Sequence, residues 1–257
     1  MSRIASVFTR ANRTALIPYI TVGYPNIAAT LKVVPLLASS GCDIVELGIP
    51  FSDPLADGAT IQRASYEALR QGVTPHLCLE VAQELRRQVE IPLVFMTYYN
   101  PVLKFGLEQF CSKCAEVGID GLIIPDLPPE EGQELEKSTS NHGLDLVYIL
   151  SPSSTEERIR LVAGKASGFI YLVSLTGVTG ARDELPQELE SFVARVRKRT
   201  KKPLCVGFGV STAEQARRIA RVADGVIVGS RIIQLIKEDN SLNNLCSFVK
   251  CLRDALL

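Results

Sequence analysis

The chain has 257 residues, 46% of them hydrophobic and 22% charged, and its 28 basic and 28 acidic side chains cancel to a net charge of zero. That length fits one large α/β barrel or two small domains, and the balanced charge excludes the basic footprint of a nucleic-acid binder. The partners that remain are small molecules or other proteins.

From Met1 to Arg10 the chain carries charge and no long apolar stretch, so it does not read as a signal peptide. No run reaches the roughly 18 apolar residues that a membrane helix needs. The seven cysteines are an odd count, and several sit in apolar runs (Cys42, Cys205) or helical patterns (Cys246, Cys251). Buried free thiols in a reducing compartment account for them. The expected location is the cytoplasm, or the plastid stroma in a plant or alga. Cys111 and Cys114 have a C-x-x-C spacing, but no second pair or histidine lies close by. Two thiols on one helical face explain the spacing better than a zinc site.

Eight short apolar runs follow one another: Leu16–Val22, Asp43–Gly48, Leu93–Tyr99, Gly121–Pro125, Leu144–Leu150, Gly168–Val173, Leu204–Phe208 and Gly225–Val228. They are rich in Val, Ile and Leu and nearly continuous, as parallel strands covered on both faces are. Helical patterns lie between them, such as Glu80–Gln88, Leu107–Val117, Glu188–Arg199 and Thr212–Ala220. Eight strand–helix units in this length predict a closed (β/α)8 barrel, with a doubly wound open sheet as the alternative. No linker divides the chain, so residues 1–257 read as a single barrel domain. The units share a pattern but no obvious sequence repeat.

Strand side chains alternate between the two faces of the sheet. If Glu46 points into the barrel, so do Ile44 and Gly48, while Val45 and Leu47 face the helices. A carboxylate on the inward set is costly to bury without a task or a partner. An apolar setting raises its pKa and lets it give and take protons near neutral pH. A structural carboxylate held by backbone amides or a tyrosine is the competing reading. Asp57 lies in the loop Ser52-Asp53-Pro54-Leu55-Ala56-Asp57-Gly58. Its local chemistry favours a cap for a helix starting near Thr60, over an acceptor for a substrate N–H. Asp53 has the same capping alternative, and Asp126, after the fourth strand, reads as loop-fixing. His76 and His142 lie beside helices, away from any nucleophile pattern, which disfavours a histidine-based triad.

Glycine-rich turns follow the last three strands: Gly177-Val178-Thr179-Gly180, Gly207-Phe208-Gly209 and Gly229-Ser230. Barrels hold phosphate with the loops after strands 7 and 8 and the start of a short helix, whose free N–H groups make a basic side chain unnecessary. Ser230 is expected to add a hydroxyl and cap that helix. Tight turns with no ligand are the bland alternative.

At these residues the sequence resembles the tryptophan synthase α subunit family over essentially the whole chain. The stretch Glu-Leu-Gly-Ile-Pro-Phe-Ser-Asp-Pro-Leu-Ala-Asp-Gly-Ala-Thr-Ile-Gln at 46–62 looks like that family's most specific motif. The three glycine turns, Pro18-Tyr19-Ile20-Thr21 and Pro125-Asp126-Leu127-Pro128 match it in order. Tyr24 stands where the family often has aspartate, Ala59 replaces a common proline, and Leu175 and Thr176 fill a variable pair. The resemblance implies a single TIM barrel with a short N-terminal extra helix. It implies reversible retro-aldol cleavage of indole-3-glycerol phosphate to indole and glyceraldehyde 3-phosphate. By that match Glu46 is the general acid/base, and Asp57 stabilises positive charge at the indole nitrogen. The indole pocket would be Tyr19, Ile61, Met96, Tyr98 and Tyr171. Tyr171 or Thr179 would help position Glu46 or the catalytic loops. Gly180, Gly207, Phe208, Gly209, Gly229 and Ser230 would hold the phosphate, and 177–186 would form a lid. The implied partner is a pyridoxal-phosphate-dependent β subunit in an α2β2 heterotetramer, contacted through Asp53 and Pro54, and no cofactor or metal is implied in this chain. Two other readings stay open: another phosphate-binding barrel isomerase or synthase, and a mainly regulatory subunit.

Overall fold

All eight apolar runs form strands in the computed structural model, which describes residues 1–9, 13–173, 188–207 and 209–257. They are β1 (Ala15–Thr21), β2 (Val45–Gly48), β3 (Leu93–Met96), β4 (Gly121–Ile123), β5 (Asp145–Leu150), β6 (Ile170–Val173), β7 (Leu204–Gly207) and β8 (Gly225–Val228). Each pairs in parallel with its neighbours in sequence, and β8 returns to β1, so the sheet closes. This is a (β/α)8 TIM barrel, and the open-sheet alternative is excluded.

The helices among the described residues are α1 (Arg3–Val7), α2 (Ile27–Ser39), α3 (Ala59–Arg70), α4 (Pro75–Arg86), α5 (Tyr99–Phe105) and α6 (Leu107–Glu116). Then come α7 (Gln133–Asn141), α8 (Glu156–Lys165), α9 (Glu188–Arg197), α10 (Ala213–Ala220), α11 (Ser230–Glu238) and α12 (Asn243–Ala255). None is long and apolar enough to cross a membrane. The short N-terminal helix is α1. Its Ile4 and Val7 are buried in the same apolar cluster as the barrel interior, and it plugs the end where the strands begin.

The third strand is shorter than its sequence pattern suggests. It stops at Met96, and Tyr99 opens α5 instead of ending β3. Pro101 sits in the first turn of that helix, where its missing N–H is no loss. The Asp126 carboxylate accepts the Tyr99 N–H at 2.8 Å, satisfying one donor that the helix start leaves open.

Alternation sorts the strand side chains as the sequence predicts. Ile44, Val94, Ile123, Val147 and Phe169 fill the barrel. Val45, Leu47, Leu93 and Phe95 pack outward under the helices. Cys111 and Cys114 are buried on the inner side of α6, and burial pushes the Cys111 thiol up to about 12. Cys246 is half-buried and Cys251 is exposed, so burial does not account for all the thiols. The polar side of α12 leaves Cys251 in solvent.

A repeat absent from the sequence appears where the strands begin. A residue one to three positions before each even-numbered strand reaches back to the preceding odd strand. Asp43 accepts the Leu16 N–H at 2.9 Å, Asp120 the Leu93 N–H at 2.9 Å, Ser167 the Leu146 N–H at 2.7 Å and Asp224 the Leu204 N–H at 2.7 Å. In return, the N–H of each of these four donates to the carbonyl of the same partner, at 2.8–2.9 Å. The barrel is thus stapled four times with a period of two strands. Arginines neutralise the three aspartates. Arg253 and Arg13 pair with Asp43 at 2.8 and 2.5 Å, Arg86 and Arg3 with Asp120 at 3.1 Å each, and Arg197 with Asp224.

Candidate active site

Glu46 lies in the middle of β2, in register with Tyr19 of β1 and Val94 of β3. It is completely buried, and neither carboxylate oxygen has a hydrogen-bond partner among the described residues. Desolvation therefore acts on it unopposed, and burial pushes its pKa up from 4.5 to about 8. A structural carboxylate would be expected to show the amide or tyrosine partners that Glu46 lacks.

Two phenols flank it, each seated over a glycine. A Cβ on Gly48 would stand 2.1 Å from the Tyr19 hydroxyl oxygen, and one on Gly207 would stand 2.7 Å from that of Tyr171. Only a residue without a side chain admits such close approach. The Tyr19 hydroxyl lies 3.3 Å from Thr21 Oγ1. Burial raises both phenols well above their ordinary range; the next contribution comes from Asp57 for Tyr19 and from Glu46 for Tyr171. Both tyrosines therefore stay neutral and within electrostatic reach of the two carboxylates.

Asp57 is half-buried in the loop between β2 and α3. Burial raises its pKa to about 6, and a hydrogen bond from the Tyr98 hydroxyl works against that rise. The capping expectation is corrected here. Helix α3 starts at Ala59, its N-cap is Gly58, and no side chain caps it. Asp57 instead faces Tyr98, which is buried, stacks on Phe51 with ring centroids 5.2 Å apart, and accepts the Ala56 N–H at 3.0 Å.

The other expected pocket residues converge on the same mouth. Tyr19 packs with Tyr24, Ala64 and Ile233, and Ile61 and Met96 lie against that cluster. Gly229, expected on the phosphate side, adjoins the pocket: a Cβ there would stand 3.5 Å from Ile61 Cδ1 and 3.6 Å from Tyr19 Cβ. Gly207 closes β7, and Gly209 turns with φ +66°. Gly229 is the N-cap of α11, and no side chain caps that helix. Ser230 is the first helical residue and does not cap it, which corrects the sequence expectation. Thr179, Gly180 and Phe208, and the expected lid at 177–186, lie outside the described residues.

Asp126 holds the start of α5, as described above, and Asp53 bonds the neighbouring Ser52 hydroxyl at 2.6 Å in an exposed loop. His76 stacks on Phe105 and His142 bonds Glu108 at 2.8 Å, so neither enters the site. Sequence reasoning missed the Gln62 side chain, whose amide reaches back under the Asp57 loop. The only signal was its place at the end of the 46–62 motif.

A fully buried carboxyl with no partner among the described residues, a second carboxyl with a raised pKa and an uncapped helix start are the kind of groups that acid–base work on an anionic ligand needs. The family model described as tryptophan synthase alpha chain matches residues 6–253. The chain belongs to the tryptophan synthase alpha chain family. It is 58% identical to the tryptophan synthase alpha chain of Dehalococcoides mccartyi, over 100% of both chains. It is 47% identical to that of Geobacter sulfurreducens, over 100% of this chain and 99% of the relative. Among solved structures, a chain of Mycobacterium tuberculosis tryptophan synthase superposes with a TM-score of 0.94 at 40% identity, covering 99% of this chain and 98% of that one. Membership in the tryptophan synthase alpha chain family gives the activity: the chain is a carbon–carbon lyase of tryptophan biosynthesis, cleaving indole-3-glycerol phosphate to indole and glyceraldehyde 3-phosphate. The rival isomerase and regulatory readings give way to it.

Proposed function

We propose that Glu46 carries the proton transfers of this cleavage and that Asp57 stabilises the charge that develops between them. With a pKa near 8, Glu46 is mostly protonated at neutral pH. It gives its proton to indole C3. The ring double bond supplies the electron pair, and positive charge settles on the ring nitrogen. Asp57, with a pKa near 6, is mostly ionised at the same pH. It accepts the ring N–H and stabilises the cation electrostatically. Glu46, now a carboxylate, removes the proton of the side-chain hydroxyl next to C3. The O–H electrons form the aldehyde, and the carbon–carbon bond breaks. Its electrons return to the ring as indole, and Glu46 ends protonated as it began. The two carboxyls have separated pKa values, and that separation assigns their roles.

Tyr19, Ile61, Met96, Tyr98 and Tyr171 hold the indole ring. Gly207, Gly209, Gly229 and Ser230 hold the phosphate with main-chain N–H groups and one hydroxyl, together with Phe208, Thr179 and Gly180. The partner is the pyridoxal-phosphate-dependent β subunit, in an α2β2 assembly. The exposed loop with Asp53, Pro54 and the 93% exposed Leu55 supplies the contact.

The observation that supports this reading best is that the buried Glu46 carboxyl has no hydrogen-bond partner among the described residues. Glu46→Gln keeps the shape of the side chain and removes the exchangeable proton. The expected outcome is loss of indole release by at least about 10²-fold, with retained binding of a phosphate-bearing substrate analogue. Indole release at the original rate removes Glu46 from the mechanism.

A further inference from the structure

The loop that carries Asp57 has little to hold it. Ser52, Asp53, Leu55 and Ala56 are exposed, and α3 begins without a side-chain cap. Two side chains brace it from opposite sides. The Tyr98 hydroxyl takes the Ala56 N–H at 3.0 Å and bonds the Asp57 carboxylate. From the other side, the Gln62 side-chain amide donates to the Asp57 carbonyl at 2.9 Å and to the Pro54 carbonyl at 3.4 Å. The Asp57 N–H also donates to the Pro54 carbonyl at 3.0 Å, so Gln62 closes a turn that starts and ends on the same two residues.

Gln62 itself is well placed to act as a fixed arm. It sits in the first turn of α3, and its own N–H is bonded to the Gly58 carbonyl at 2.9 Å. Its side chain is exposed, so nothing in the core depends on it. The amide has two N–H donors, and two loop carbonyls are the acceptors it meets.

We propose that Gln62 is a positioning residue for the cleavage: its amide clamps the Pro54–Asp57 turn and so fixes the reach of the Asp57 carboxylate across the pocket. This rests on the reading of Asp57 as the group that meets the ring nitrogen. An error of about 1 Å in placing such a group costs up to about 10²-fold in rate. Gln62 is not among the residues proposed to hold the phosphate, so binding is largely spared.

The test is steady-state indole release by the full chain for Gln62→Met, Asp57→Asn and the double variant. Methionine keeps the length and helix propensity of glutamine and removes both donors. The expected result for Gln62→Met is a kcat lowered roughly ten-fold with KM within about two-fold, and a thermal midpoint unchanged. In the Asp57→Asn background the same change lowers kcat by less than about two-fold, because the clamped carboxylate is already gone. The acid limb of kcat/KM in Gln62→Met also moves down from about 6 as Asp57 gains water. An unchanged kcat, an equal loss in both backgrounds or an unmoved acid limb overturns the proposal while leaving Asp57 its role. Full activity of Asp57→Asn alone overturns the Asp57 reading, and this proposal with it.

Discussion

Asp43 lies two residues before β2 and Glu46 lies within it, three residues further on, and both are buried to 2% exposure or less. Asp43 receives two arginines and a backbone N–H. Glu46 has no hydrogen-bond partner among the described residues. The same contrast holds between the two ends of the barrel. Where the strands begin, Asp120 and Asp224 also receive an arginine and a strand N–H. Where the strands end, Asp57 has a tyrosine hydroxyl as its polar partner and a raised pKa. A paired buried carboxylate supports the fold, because its charge is compensated. An unpaired one works against the fold and is useful for its proton. Barrels separate stability from chemistry in this way, with the reaction at the C-terminal face.

Breaking a clasp gives the largest effect that tests this contrast. Asp43→Ala leaves the buried Arg253 guanidinium without its carboxylate and the Leu16 N–H without its acceptor. The expected loss of stability is about 3–5 kcal/mol, read as a lower midpoint in denaturant. The kcat of the molecules that remain folded stays at the original value. A loss of kcat in the folded fraction contradicts the division between the two ends.

Glu46→Gln gives the opposite effect, and only above pH 4.5. In the folded chain Glu46 binds its proton more tightly than in the unfolded chain, with values of about 8 against 4.5. Between those values the folded state holds more protons, so stability falls as pH rises through the window and stays reduced above it. The glutamine variant escapes that loss. It is expected to match the original chain at pH 4 and to melt higher at pH 8, by on the order of ten degrees for a shift of this size. A melting difference that does not grow with pH contradicts an unpaired, buried Glu46. Stability gained where activity is lost is the usual sign of a functional residue.

The barrel was legible in the sequence because its signal is local. Each strand announces itself by three or more apolar residues, and period-two alternation puts Glu46 on the same face as Ile44. Glu46 and Asp57 were legible through the 46–62 motif. What was hidden depends on contacts between distant residues. The fourfold clasp joins positions 20 to 27 apart, and it uses serine once and aspartate three times, so it leaves no repeat in the sequence. Asp57 read as a cap because aspartates in loops before helices usually are caps. Its burial beside Tyr98 is set by where α5 begins, which depends on Asp126 from the next loop. Gln62 looked like one more polar residue on an exposed helix face.

Measuring the ionisation of the Glu46 carboxyl tests the central claim most directly. Carbon-13 labelling of glutamate side chains, with the Glu46→Gln variant to assign the signal, follows that group alone through pH. The account predicts a midpoint near 8, with the carboxyl protonated at neutral pH. A midpoint near the ordinary glutamate value of 4.5 would mean that the carboxyl is ionised and compensated in the resting protein, contradicting its role as the first proton donor.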